Sequence, residues 1–540
     1  MNENPYVNTY PAPPLEKPRY TYRTADRIAA VVAWLLGYIF CVVTPISKHL
    51  WGAFGFMLLM FVGAFLYFRL TDKATPIRPL AFAVAAESML LSVSFVTATN
   101  GFLHVLVFIF GCVAWFYTIY LLGNNTDELF PGQTFVKDLC RSVFIMPFSA
   151  KGHLFGALAG NKKEDGKRSK VGGHILWALL GLFIALCPTV IVGLLLSYDE
   201  GFTSILETIF DNLLSLDTLG RELGNIALGL LVGLLIFGAV LACRDHRGRP
   251  ENRRDELAID AEQPVSFRFL PVTLVCAALT PVLLLYVIFF ISQWDYYVSA
   301  LTGVRPEALT FAEYARSGFF QLCAVAGINA GLGLLACGFV KHNTPDEARP
   351  NRNPVPLALR IYMVVLSVFT LVLIATALAK MVLYVNSYGL THKRILASWL
   401  MVMLALCFVA VMIRQFVRKL NLTGTVVAIF LVCFTVLSLC NLDGVIARYN
   451  FDAALDGNLY AIGGDILGEI DTSGVLPALE FMEETEGTTD PNVLAARNDV
   501  RAYLEFQAHR LEKMENGEKN IPRLIAEKVL CREGYIENKK

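Results

Sequence analysis

Residues 102–122 read FLHVLVFIFGCVAWFYTIYLL, without one Asp, Glu, Lys or Arg. A helix apolar on every side, rather than along one stripe, belongs in a protein interior or in lipid. At about 1.5 Å per residue this run crosses the roughly 30 Å of a bilayer core, where a helix satisfies its own backbone groups. Comparable runs recur from residue 28 to residue 440, so burial inside one soluble core is not a workable reading. We place spans at about 28–46, 51–68, 79–98, 102–122, 174–197, 223–243, 270–293, 316–340, 361–385, 395–413 and 422–440. The expected class is all-α, a polytopic transmembrane helix bundle of about eleven spans.

Composition agrees. Charged residues make up 17% of the 540 and hydrophobic ones 55%, against about 25% charged in soluble domains. Ten of the twelve cysteines fall inside apolar spans, Cys140 and Cys531 being the exceptions. Cysteine acts there as a small hydrophobe. With no C-x-x-C pair, neither a zinc ribbon nor a thioredoxin-type site is supported. Residues 1–27 are polar and Pro-rich, and no small-residue cleavage site follows the first apolar run, which reads as a retained span.

Lys and Arg set the orientation. With a cytoplasmic N-terminus, segments 1–27, 69–78, 123–173, 244–269, 341–360 and 414–421 lie inside and hold 28 basic residues. The opposite loops hold six: Lys48, Arg221, Arg305, Arg316, Lys393 and Arg394. An odd span count then puts residues 441–540 outside, as a small α-helical extracytoplasmic domain with 11 basic and 19 acidic residues. Asp490 and Pro491 form a helix start. Val493, Ala496, Val500, Leu504, Ala508 and Leu511 follow at helical spacing. Further helices are expected over Val475–Phe481 and Ile521–Cys531.

Loop 123–173 is the long inside connection. Phe135, Leu139, Val143 and Phe144, with Lys137 and Arg141, predict a short helix on the membrane surface. Lys162, Lys163, Lys167, Arg168 and Lys170 would face anionic lipid, or serve as ordinary positive-inside anchors. Loop 198–222 has an apolar-acidic pattern compatible with a second interfacial helix.

The chain has no Walker A loop, no G-x-G-x-x-G opening a helix, no H-E-x-x-H and no G-x-S-x-G. No cofactor, metal or nucleic acid is implied. Glu87, in the third span, is costly at that depth and calls for a partner or water. A proton or cation site competes with a carboxyl hydrogen-bonded between helices. Lys380 sits near the outer end of the ninth span, where snorkelling to the interface is the plainer reading. Lys380, Tyr384 and Tyr388 nevertheless share one helix face. Gly229/Gly233 and Gly327/Gly331 are G-x-x-x-G pairs, read as helix-packing surfaces.

Three polar clusters fall on the predicted outside face: Thr310–Arg316 with Glu313, Tyr314 and Arg316; Tyr388–Arg394 with Thr391; and Asn441–Asp443 with Arg448, Tyr449 and Asn450. Glu313 and Asp443 would stand opposite Arg316, Arg394 and Arg448. Such a pocket suits an anionic ligand, for instance a phospholipid headgroup or a polyprenyl-phosphate. A salt-bridge collar fixing the C-terminal domain accounts for the same residues.

TFAEYARxGFFQL at Thr310–Leu322, YGLTxxR at Tyr388–Arg394 and IARYN at Ile446–Asn450 resemble the recurring motifs of a bacterial polytopic membrane family of the domain-of-unknown-function 4173/4153 type. The segment around Leu459–Leu479, LYAIGGDI followed by VLPAL, resembles it as well. The resemblance covers roughly residues 80–480. It implies a many-span bundle in a bacterial cell membrane and brings no activity, substrate or site residue. Three functions stay open: a non-catalytic cell-envelope or signalling component that binds lipid or an envelope protein at its outer face, an ion-coupled transporter or lipid flippase, and a transferase using a lipid-linked donor. The first is the leading expectation. For the third, the first outside loop, Ser47–Leu50, carries no acid, and Glu313, Asp443 or loop 198–222 would have to supply one.

Overall fold

The computed structural model describes residues 22–43, 49–71, 78–126, 128–132, 134–150, 153–159, 216–245, 270–292, 319–340, 355–417, 419–458 and 462–536. Among these it is all-α, with a single isolated bridge between Leu270 and Val340. The membrane part comprises α1 (Thr24–Val43), α2 (Leu50–Thr71), α3 (Pro79–Thr97, broken at Val93) and α4 (Gly101–Leu122). Short helices follow: α5 (Phe135–Cys140, continued by a π-helical turn to Ile145), α6 (Met146–Ser149) and α7 (His153–Ala159). Then come α8 (Leu216–Arg244), α9 (Val272–Ser292), α10 (Phe319–Phe339), α11 (Leu357–Tyr388), α12 (His392–Phe416) and α13 (Leu422–Leu439). Nine helices among the described residues are long and apolar enough to cross a bilayer, and α10 holds a shorter apolar segment, Gln321–Ala336. The chain is a multi-pass integral membrane protein. The span expected at 174–197 lies outside the described residues.

Packing of α1 on α8 follows from glycine. A Cβ on Gly229 would come 2.7 Å from the Tyr38 Cα, and one on Gly233 would come 2.8 Å from the Ala33 carbonyl oxygen. Only hydrogen at these positions lets the two backbones approach this closely. The other pair behaves differently, since a Cβ on Gly327 or Gly331 would meet nothing within 4 Å.

Polar contacts tie the turns at each end of the bundle. At the end bearing the basic connections, buried Asp26 accepts from the Tyr67 hydroxyl (2.8 Å) and from Arg244 at the close of α8. Arg78 donates to the Asn124 side chain at 2.6 Å, and Asn421 to the Pro131 carbonyl at 2.7 Å. The short helix α5 lies at this end. Its Asp138 is buried and held by Tyr120, Thr126 and Thr134. Phe135 and Leu139 pack inward, while Val136, Phe144 and Ile145 face out. The π turn over Arg141–Ile145 rotates the later apolar residues away from the face that Phe135 and Leu139 share.

The C-terminal module caps the opposite end. It contains α14 (Leu442–Leu455), α15 (Gly464–Leu467), α16 (Val475–Glu484), α17 (Pro491–Lys513) and α18 (Ile521–Arg532). Asp490 accepts from the Asn492 N–H at 2.8 Å and starts α17, with Pro491 in its first turn. Ala496, Val500, Leu504, Ala508 and Leu511 are the buried stripe of α17, as their spacing predicts. That stripe belongs to the same hydrophobic cluster as α1, α2 and α4, so module and bundle share one core.

Candidate functional site

The seam between bundle and module is polar, and it is built by turns that the bundle brings to one end. After α3 breaks at Val93, its last turn ends at Ala98, and Thr99 is left buried before α4. Between α11 and α12 the chain turns at Gly389, whose φ of 76° is the left-handed conformation that favours glycine. His392 follows as the first residue of α12. After α13, Asn441 caps α14 through the Gly444 N–H, and Asp443 lies in the first turn of α14.

Asp443 is the centre of this seam. It is only 2% exposed, accepts from Thr99 on one oxygen and bonds His392 Nε2 at 2.6 Å on the other. Glu469 reaches His392 Nδ1 at 3.8 Å. Ser473 lies 3.1 Å from the Thr99 hydroxyl and accepts from Asn441 at 2.8 Å. Both ring nitrogens of His392 therefore face carboxylates, and the Thr99 hydroxyl is committed to Asp443. The arrangement differs from a hydroxyl nucleophile activated by a histidine base, which needs a direct hydroxyl–imidazole bond.

The predicted outer-face residues are partly assembled here. Asn450 is buried and clasps the α11–α12 turn at two points: it accepts from the Leu390 N–H (2.6 Å) and donates to the Leu390 carbonyl (2.8 Å). Tyr388 ends α11, with its ring 5.4 Å from that of Tyr384. Thr391 is the residue before α12 and makes no side-chain cap. Arg394 does not stand opposite Asp443. It donates to the carbonyls of Tyr388 and Gly389 and lies 4.1 Å from the centre of the Tyr384 ring. A guanidinium matches two converging carbonyls at a helix C-terminus, so the end of α11 takes its donors. Arg448 is exposed on α14. Glu313, Tyr314 and Arg316 lie outside the described residues. Glu87 accepts from Thr435 of α13 and borders an apolar cavity of about 610 Å³ between α3, α4, α12 and α13. Lys380 is buried within α11.

Residues beyond the three motifs complete the seam. Asp471 receives Arg510 and Arg523, each at 3.1 Å, and its backbone carbonyl accepts from Tyr503 at 2.7 Å. Burial opposes ionisation of Asp471, but the two guanidinia and the Thr472 N–H prevail and hold its carboxyl below the usual carboxylate range. Burial, with Asp471 nearby, pushes the Tyr503 phenol well up. Asn520 donates to the Ala98 carbonyl, and the Trp51 indole donates to the Lys519 carbonyl at 2.9 Å. His392 stood in the sequence beside Thr391, but nothing local marked it as the partner of Asp443, 51 residues away.

The model of the family described as Domain of unknown function (DUF4153) matches residues 85–480, more than two thirds of the chain. This chain belongs to the DUF4153 family. No curated protein and no solved structure matches it. The DUF4153 segment contains Thr99, His392, Asp443, Asp471 and Ser473. Arg510, Asn520 and Arg523, which close the seam from the module side, follow its end.

Proposed function

We propose that this DUF4153 protein is a non-catalytic component of a bacterial cell envelope, with a cytoplasmic N-terminus and its C-terminal module outside. There it presents a binding surface for lipid or for an envelope protein. The observation that carries this reading is the seam itself. Turns at four places in the bundle, near Trp51, Ala98, Leu390 and Asn441, hold the module by directed hydrogen bonds. Such a clasp fixes a surface at the membrane boundary, and it uses the titratable side chains as fasteners. The orientation rests on the 28 basic residues of the inside segments against six outside.

A second reading, ion-coupled transport or lipid flipping, is favoured by Glu87. Its carboxyl lies on the wall of an apolar cavity within the spans, where an acid that changes protonation or partner could couple to movement.

One complementation experiment separates them. A strain lacking the protein is supplied with wild type, His392→Gln, Asp443→Asn or Glu87→Gln, and growth under envelope stress is compared with membrane abundance and melting temperature. A binding component keeps its function in every variant that keeps abundance and melting temperature. Loss of function in well-folded His392→Gln or Asp443→Asn would overturn the reading in favour of chemistry at the seam. The same loss in well-folded Glu87→Gln would favour transport.

A further inference from the structure

A cavity of about 430 Å³ opens where the module meets the first residues of two membrane helices. Leu50 starts α2 and Gly101 starts α4, so one wall stands at the end of the hydrocarbon region. The other wall is cationic. Arg510 and Lys513 come from the last turn of α17, and Arg523 from the first turn of α18. Glu518 is the carboxylate on the lining, and Asp471 lies behind it between the two arginines. Asp443 lies behind the lining Thr99, so three cations stand near three carboxylates among the described residues, and Lys513 is the cation that makes no ion pair among them. Arg523 is 8% exposed, and its terminal nitrogens donate to Asp471 and to the Glu518 carbonyl, which fixes this wall in place. The exposed Lys513 ammonium beside the half-buried Arg510 guanidinium is a donor pair that suits an anionic oxygen.

We propose that this cavity binds the phosphate group of an amphiphilic anion. The phosphate would lie against Arg510 and Lys513 on the cationic wall, and the apolar part would run past Leu50 and Phe506 toward the bilayer. Phe506 lines the cavity, and Phe102, beside Gly101, is exposed at the same level. Apolar and aromatic side chains at that depth suit the acyl side of a headgroup. The proposal deepens the binding reading above and names its ligand class. Its chemistry is shared by a lipid phosphate and a soluble phosphate, and the apolar rim favours the lipid.

The full-length protein in a non-ionic detergent tests it by native mass spectrometry, with added dioleoyl-phosphatidic acid or dioleoyl-phosphatidylcholine. Retention of phosphatidic acid at concentrations at least tenfold lower than phosphatidylcholine is expected. Lys513→Gln, at an exposed position, should weaken that retention several-fold at unchanged melting temperature. Arg510→Lys, which keeps the charge and removes the guanidinium fork, should weaken it too. Millimolar inorganic phosphate is the discriminating arm. If it leaves the lipid bound, the site reads an amphiphile; if it displaces the lipid and raises the melting temperature alone, the phosphate site stands and its ligand is soluble. Equal retention of both lipids, or a preference unmoved by both substitutions, would overturn the proposal. Either failure is read on purified protein and leaves the complementation test of the non-catalytic reading untouched.

Discussion

Asp443 shows how much one side chain fastens. Its two oxygens are bonded to Thr99 and His392, which come from two other turns, and it is almost wholly enclosed. Removing the carboxyl leaves the His392 imidazole without its acceptor and Thr99 with Ser473 alone, a loss of about 1–3 kcal/mol. Asp443→Ala should therefore lower the melting temperature of the detergent-solubilised protein clearly, while Arg448→Ala, on the exposed face of α14, should leave it unchanged. Asp471 gives a pH signature. Its folded value lies below the ordinary 3.8 because Arg510 and Arg523 outweigh its burial. A depressed value means the stabilisation is complete above the ordinary value and is lost as pH falls through the folded one. Asp471→Asn should thus melt lower than wild type at neutral pH, by an amount equivalent to about 1–3 kcal/mol. The gap should close progressively below about pH 4. A gap that persists at the lowest pH would mean that packing, not the ion pairs, sets the difference.

At the scale of single elements, the two glycine pairs separate a motif from its context. Gly229 and Gly233 have the same spacing as Gly327 and Gly331, yet only the first pair faces a backbone at contact distance. Gly229→Ala forces α1 and α8 apart and should destabilise by about 1–3 kcal/mol. Gly327→Ala fills open space in α10 and should be neutral, or stabilising by up to about 1 kcal/mol. Thermal unfolding of the two variants side by side checks both. The sequence could not distinguish them, because a spacing rule identifies a smooth helix face and not the neighbour that covers it. The spans and the α17 stripe were legible for the opposite reason: hydrocarbon and a buried face each impose a period on the chain itself. Asp443 and Asn450 were recognised as interruptions of that pattern. Their partners were not, since His392 and Leu390 lie more than 50 residues away. The sequence pattern sets Arg394 opposite an acid, and nothing in its own neighbourhood announces the two carbonyls at the end of α11.

At the scale of the whole molecule, the two ends of the bundle differ in kind. One end bears the basic connections and the short helix α5. The other carries the module, whose balance over residues 441–540 is eight acidic charges in excess. Contacts with the module put Trp51, Thr99, His392 and Asn441 at one end of the bundle, the same set of turns that the distribution of Lys and Arg assigns outside. The contacts and the charges are independent, because hydrogen bonds within the seam do not depend on which side faces the cytoplasm. Orientation can therefore be tested without disturbing the fold. Glu505 is exposed on α17, so Glu505→Cys in a chain stripped of its native cysteines gives an accessible thiol on the module. A membrane-impermeant maleimide should label it in intact cells to the same extent as in permeabilised ones. A cysteine replacing exposed Lys137 on α5 should label only after permeabilisation. The reverse pattern would place the module in the cytoplasm and turn the phosphate-binding cavity toward the inner leaflet. It would also require the basic connections to cross the membrane against the charge rule, which 28 Lys and Arg make a heavy cost.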